Sequence, residues 1–311
     1  MQQIPSLLTF EEDFYQNLKR QGKSLNTLKN YKTDIPCFKK FLIAKNSVDH
    51  LNNFNEGLVG EYHQFLNQKY NSDNSKRRRI QALRLFFDFL MAKEIIGDNP
   101  VKKLPSAPKF LDIPRPTSYD HLQKLWDGIV KGSKSEKPLE QLMYHRGKVL
   151  FLLIFDCGLK VSDLAKLKLS QLSLGTKARV LVTPLKRDPY SIPLGPYTVE
   201  VIKEYIELLD AQKERDHQEF SELLFNGNPF HIISGGISPR GVEIMFEDYR
   251  RKYDVVATPK SLRQSCVFKW LHLGRSDSLI KEWLGVAPSY SLKLYKSHMD
   301  SHVINDYFLT K

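Results

Sequence analysis

Four prolines crowd into the sixteen residues VKKLPSAPKFLDIPRP, from Val101 to Pro116. Proline fixes φ, lacks a backbone N–H and pushes the residue before it out of the helical region, so no ordinary helix or inner strand runs through this stretch. Few apolar positions recur within it, which suits an extended connection. The chain of 311 residues is long enough to bury one core on each side of it. The expected organisation is a first domain over 1–105, a linker over 106–116 and a second domain over 117–311.

The first domain reads as all-helical. Thr9 and Glu12 have capping-box spacing ahead of Phe10, Phe14 and Leu18, and Gly22 ends that helix. Ser24 opens a second, with Leu28, Tyr31, Ile35, Phe38 and Leu42 at steps of three and four and a kink or first turn at Pro36. Val59, Tyr62, Phe65 and Leu66 mark a third, and Ile80, Leu83, Phe87 and Leu90 a fourth between Ser75 and Gly97. The fourth opens SKRRRIQALRLFF. Lys76, Arg77, Arg78, Arg79 and Arg84 are separate from its apolar stripe, so an outward basic face suited to DNA phosphates is expected, with a merely solvated face as the alternative.

Beyond the linker, Ser118–Val130 and Tyr144–Phe155 read as helices, followed by a polar helix from Val161 through LAKLKLSQL. Ala178–Thr183 and Tyr190–Leu194 are β-rich runs around a basic tip, PLKRDP, and predict a hairpin. Helical spacing returns at Tyr197–Leu209, Val242–Tyr253, Ser261–Leu273 and Ser278–Leu284, with HIISGGISPRG as a loop and Gly274 and Gly285 as terminators. The fold class is therefore mainly α with a small β-sheet.

A net charge of +12 favours polyanionic partners, nucleic acid ahead of acidic membranes. Cys37, Cys157 and Cys266 lie far apart without CxxC spacing and read as buried free thiols. The opening MQQIPSLLTFEEDF lacks the basic-then-apolar layout of a secretory signal. The longest apolar run, Val149–Cys157, is interrupted by Asp156 and too short for a bilayer. A soluble, cytoplasmic, nucleoid-associated protein is the expectation. His298 and His302 have i, i+4 spacing but no convincing cluster of Cys, Glu or Asp accompanies them, so neither metal nor cofactor is expected.

The segments GLKVSDLAKL, TPLKRDPYSIPL, TPKSLRQSCVFKWLHLG and LGVAPSYSLKLY resemble the tyrosine recombinases of the phage-integrase and Xer type, in that family's order and spacing. FYQNLKRQGKSLNTLKNYKTDIPCFKKFL and the basic fourth helix resemble its helical core-binding (SAM-like) domain. The resemblance implies a nucleophilic tyrosine, Tyr295, that forms a 3′-phosphotyrosine with DNA and conserves the bond energy without ATP or metal. It implies a phosphate-binding arginine at Arg263, and a proton donor for the leaving oxygen at Lys186 on the hairpin. Arg187, adjacent, is expected to contact DNA; it cannot donate a proton at neutral pH.

Three positions depart from the pattern. Lys160 stands where the family has an arginine, keeping charge but losing the bidentate fork. Lys260 stands in place of a histidine, and Val286, in place of histidine or tryptophan, cannot hydrogen-bond. Asp163 resembles the acid that orients the arginine at position 160 and equally suits a helix N-terminus. Duplex DNA is the expected partner. The tail SHMDSHVINDYFLTK, with Val303, Ile304, Tyr307 and Phe308, resembles a last helix that docks onto another protomer or partner recombinase, packing in cis being the alternative. The chain is either a site-specific recombinase or a descendant that binds DNA without cutting it; a basic helical scaffold for a protein partner is a third reading.

Overall fold

The structure, a computed structural model, describes residues 7–45, 55–104, 113–184, 187–227 and 232–301. The chain divides into two compact units, Met1–Phe110 and Leu111–Lys311. Residues 105–112 of the proline-rich connection lie outside the described residues.

In the first unit, helices α1 (Glu11–Arg20), α2 (Leu25–Ala44), α3 (Glu56–Lys69) and α4 (Asp73–Ala92) pack around one aromatic core. Phe14, Phe38, Phe41, Tyr62, Phe86 and Phe87 are its largest fully buried side chains. Ser24, Asn55 and Ser72 cap α2, α3 and α4, each side-chain oxygen accepting a backbone N–H three residues on. Pro36 sits inside α2, which continues through it. The Thr9–Glu12 capping box does not form: a 3₁₀ turn over Leu7–Phe10 occupies that place, leaving Phe10 as an N-cap without a side-chain bond. Glu11, Glu12 and Asp13 instead oppose the helix dipole in the first turn.

The second unit is built on α6 (Pro138–Phe155), which is buried almost all round from Leu142 to Phe155. Around it pack α5 (Tyr119–Gly132), α8 (Pro196–Asp216) and α10 (Pro259–His272). α6 starts six residues before the expected Tyr144, because Pro138 is its first residue, where the missing N–H is harmless. The expected polar helix from Val161 shrinks to α7 (Val161–Leu164). After it the backbone turns to pair with distant partners, Leu223 N donating to Leu167 O and Leu169 N to Ser221 O. Strand β1 (Leu172–Ser173) then joins the expected hairpin of β2 (Arg179–Val182) and β3 (Tyr190–Pro193) as a three-stranded antiparallel sheet, Val180 facing Ile192. A second pair forms between β4 (Phe225–Gly227) and β5 (Ile233–Gly235), the latter inside the segment expected to be loop. The remaining helices are α9 (Pro239–Tyr253), α11 (Asp277–Trp283) and α12 (Lys293–Lys296). Gly274 and Gly285 close α10 and α11 with positive φ.

Candidate active site

Arg263 is fixed by local sequence. Thr258 and Ser261 cap α10 reciprocally, Ser261 N donating to Thr258 Oγ1 (3.0 Å) and Thr258 N to Ser261 Oγ (2.8 Å), with Pro259 as the first helical residue. The strand entering the unit straps this turn: Thr117 Oγ1 lies 2.7 Å from Ser261 Oγ, and Arg115 N donates to Gln264 Oε1. From the second turn Arg263 donates through Nε to the carbonyl of Gly158 (2.5 Å) and through Nη2 to that of Leu284 (3.1 Å). Burial pulls its pKa below the usual arginine value. Gly158 takes φ +61°, and a side chain there would strike Trp270, so the turn after α6 needs a glycine.

Two residues after Gly158, Lys160 is half-buried at the start of α7. Its pKa is pulled down to about 8, first by burial, then by the charges of Arg263 and Arg187, with Asp163 opposing. Lys160, Lys260 and Arg263 line one open cleft of about 550 Å³ together with Arg250, Glu243 and Glu247. Lys260 is exposed at its edge. Both glutamates accept from Arg240, at 3.2 and 3.0 Å.

Tyr295, on α12, packs its ring on Phe268 at 5.4 Å between centroids. Its hydroxyl lies in the field of Arg263 and near Tyr290 and Gln264. Burial, then Tyr290, raises its pKa, against the pull of Arg263 and a hydrogen bond with Gln264. The hydroxyl is thus protonated at neutral pH and needs a base to attack.

Asp163 accepts from the Tyr190 hydroxyl (3.3 Å) and lies 3.7 Å from Arg187 Nη2. Arg187 also donates through Nη1 to the carbonyl of Gly285. Val286 packs against the small cluster of Cys266, Trp270, Ile280 and Leu284. Lys186 and His302 fall outside the described residues, as do Val303, Ile304, Tyr307 and Phe308; His298 Nδ1 lies 2.8 Å from Leu294 O.

Of the residues nominated by the resemblance, the structure brings Lys160, Lys260 and Arg263 onto one cleft and puts Tyr295 in the field of Arg263. Sequence reasoning missed Tyr190, Tyr290, Gln264 and the two glutamates, which carry no motif of their own.

On α4 the basic face is only partly outward. Arg78 donates to Asp34 Oδ1 (2.9 Å), and the half-buried Arg79 lies 3.9 Å from the same oxygen while stacking on Tyr70. Asp34 is buried inside α2, and burial outweighs both arginines in raising its pKa. Arg84 donates to Val101 O, Lys76 pairs with Asp73 and Arg77 with Asn74. Apolar periodicity did not reveal Asp34 as an inward partner.

A cationic cleft beside a tyrosine hydroxyl, in a mainly helical unit with a small antiparallel sheet, suits a phosphoryl group and is carried here with a separate four-helix unit. The chain belongs to the phage integrase family: the family's N-terminal SAM-like domain matches residues 12–94 and the phage integrase family domain residues 115–302. It is similar to the tyrosine recombinase XerC of Listeria welshimeri, 24% identical over 313 residues covering 96% of this chain and 95% of the relative. The XerC of Lacticaseibacillus casei is likewise 24% identical, covering 97% and 96%. Among solved structures, the XerH site-specific recombinase on palindromic difH substrate, a post-cleavage complex, shares the fold with TM-score 0.69 at 16% identity, over 93% of this chain and 80% of that one. A lambda integrase dimer bound to a COC′ core site does so with TM-score 0.68 at 17% identity, over 97% and 79%.

Proposed function

We propose that the chain binds duplex DNA and cuts and rejoins it at a specific site. The Tyr295 oxygen attacks a backbone phosphorus as its hydroxyl proton passes to solvent water, forming a 3′-phosphotyrosine as the bond to the 5′ oxygen breaks. That oxygen takes its proton from Lys186, and reversal of the step rejoins the strand. Arg263, Lys160 and Lys260 offset the charge that builds on the non-bridging oxygens. No metal or cofactor enters the scheme. The observation that carries it is Tyr295 in the field of Arg263, which lines the same cleft as the two lysines. Lys76, Arg77, Arg78, Arg79, Arg84 and Arg187 serve as phosphate contacts that position the duplex. The terminal segment, through Val303, Ile304, Tyr307 and Phe308, docks onto a second protomer or partner recombinase on DNA, and the protein works in the cytoplasm on the nucleoid.

A second reading, a DNA-binding protein that no longer cuts, is favoured by Val286, whose apolar side chain sits where a donor is expected. Trapping on nicked duplexes separates the two. A protein–DNA adduct on denaturing gels that disappears in Tyr295→Phe establishes cleavage; salt-sensitive binding without adduct on a bound site leaves the non-cutting reading.

A further inference from the structure

We propose that Arg187, from the β2–β3 hairpin, supplies the second guanidinium of the phosphate clamp, the fork that Lys160 does not provide. The inference rests on the phosphoryl-transfer reading above and assigns one more ligand to its site.

Two guanidiniums converge on a single turn. Arg263 donates to the carbonyl of Leu284 and Arg187 to that of Gly285, consecutive groups at the end of α11. Each carbonyl takes one donor from a group that has five, so each fork is oriented while keeping donors for a ligand. The two arrive from different elements, Arg263 from α10 and Arg187 from the hairpin, with Lys160 close enough for both to depress its ionisation.

The charge balance calls for an anion. Asp163 is the carboxylate that supports Lys160 against the two guanidiniums, and it lies 3.7 Å from Arg187 as well. Around Asp163, Lys160 and the two guanidiniums thus share one carboxylate, since Glu243 and Glu247 on the same cleft are engaged by Arg240, and this excess of positive charge favours an anion. A phosphodiester brings one negative charge and gathers more on its equatorial oxygens as the tyrosine attacks. An ammonium at position 160 is a point charge that cannot grip two oxygens in a plane, whereas a guanidinium can. Arg187 is partly exposed, stands over the Tyr190 ring at 5.9 Å, and is held by Asp163, the acid expected to orient the arginine at position 160. The acid has kept its task with a different arginine.

The test uses the full chain carrying Tyr295→Phe, with inorganic phosphate as probe, its binding followed at fixed pH through the arginine guanidinium resonances. Arg187→Ala is expected to weaken phosphate about tenfold, the usual effect of a charge-assisted hydrogen bond, and Arg187→Lys to recover only part. Adding Lys160→Arg to Arg187→Ala is expected to restore binding, because a fork at position 160 makes the hairpin fork redundant. Unchanged phosphate affinity in Arg187→Ala overturns the proposal. So does a loss that Lys160→Arg fails to restore, which marks Arg187 as a structural tie, and so does failure of the parent protein to bind phosphate. Adduct formation on nicked duplexes, run with Tyr295 present, reports on cleavage separately: phosphate binding that follows the arginines without any adduct sinks strand cleavage and leaves the clamp assignment standing.

Discussion

The Tyr190 hydroxyl donates to Asp163 across 3.3 Å and ties strand β3 to the start of α7. The other side of the ring lies against the α-carbon of Gly285, which holds φ +56°. One aromatic side chain thereby fixes the acid that faces Lys160 and Arg187 relative to the turn that receives Arg187 and Arg263. Gly285→Ala places a methyl group into the Tyr190 ring and an L-residue in the left-handed region, which alone costs about 1–2 kcal/mol. We expect a lower melting temperature for the full chain, and weaker phosphate binding at temperatures where the variant remains folded.

Removal of the best-anchored cation should act on rate more than on stability. Arg263→Ala leaves the carbonyls of Gly158 and Leu284 without this donor and removes a fork from the cleft. Single-turnover adduct formation is expected to fall about a hundred- to a thousand-fold. Arg263→Lys should not restore it, since the ammonium cannot meet both carbonyls and a phosphate oxygen together. Full activity in the lysine variant would show that charge alone suffices.

Lys160 makes binding proton-linked. Its pKa of about 8 lies below the ordinary lysine value, so the free protein sheds that proton as pH rises through about 8. A bound phosphodiester restores the charged form and raises the pKa again. Below about pH 7 the lysine is protonated in both states and binding takes up nothing there; between about pH 8 and 10 binding takes up a proton, at most about one per site. Calorimetry of duplex binding by Tyr295→Phe, in buffers of different ionisation enthalpy, should show uptake at pH 8.5 and none at pH 6.5. Lys160→Arg should abolish it.

The fold was legible where local pattern decides it. Helices α1 to α4 follow their apolar spacing, Ser24 caps α2 where it was expected to open it, and the glycines closing α10 and α11 sit where φ turns positive. The errors fall where distant backbone partners intervene. Leu167, in a run with helical composition, pairs with Leu223, and β5 in a glycine-rich loop pairs with β4. The start of α6 was hidden because a proline before a helix reads as a breaker, although it can equally be the first residue. At the site, motif spacing located Arg263, Lys160 and Tyr295. Nothing in the spacing placed Tyr190 on Asp163 or Arg187 on Gly285, contacts made only when the hairpin folds against α11.

Asp34 is the charged hinge of the first unit. Its buried carboxylate accepts from Arg78 and faces Arg79, joining α2 to α4. Asp34→Ala leaves Arg78 without its partner and the half-buried Arg79 without its nearest carboxylate, and should destabilise the protein by about 2 kcal/mol in urea unfolding. The same variant releases Arg78, while Arg79 keeps Ser75 O and the Tyr70 ring, so weak duplex binding at low salt is expected to persist wherever the unit remains folded. Loss of stability below about 0.5 kcal/mol would mean that solvent already compensates both arginines.

Val286 offers the sharpest test of whether the site has lost rate through a missing donor. It follows Gly285, whose carbonyl receives Arg187, and its side chain packs against the apolar cluster that includes Trp270 and Leu284. Val286→His exchanges apolar contact for a ring nitrogen that can donate to a phosphate oxygen. The exchange should cost about 1 kcal/mol of stability, as expected for a half-buried apolar residue made polar. On nicked duplexes it should speed adduct formation about tenfold or more, a modest share of what one well-placed donor contributes. The gain must depend on Tyr295 and should disappear in Val286→Phe, which fills the space without donating. A histidine variant that binds duplex as before and reacts no faster would show that the clamp is already sufficient, and that the apolar residue at 286 serves packing alone.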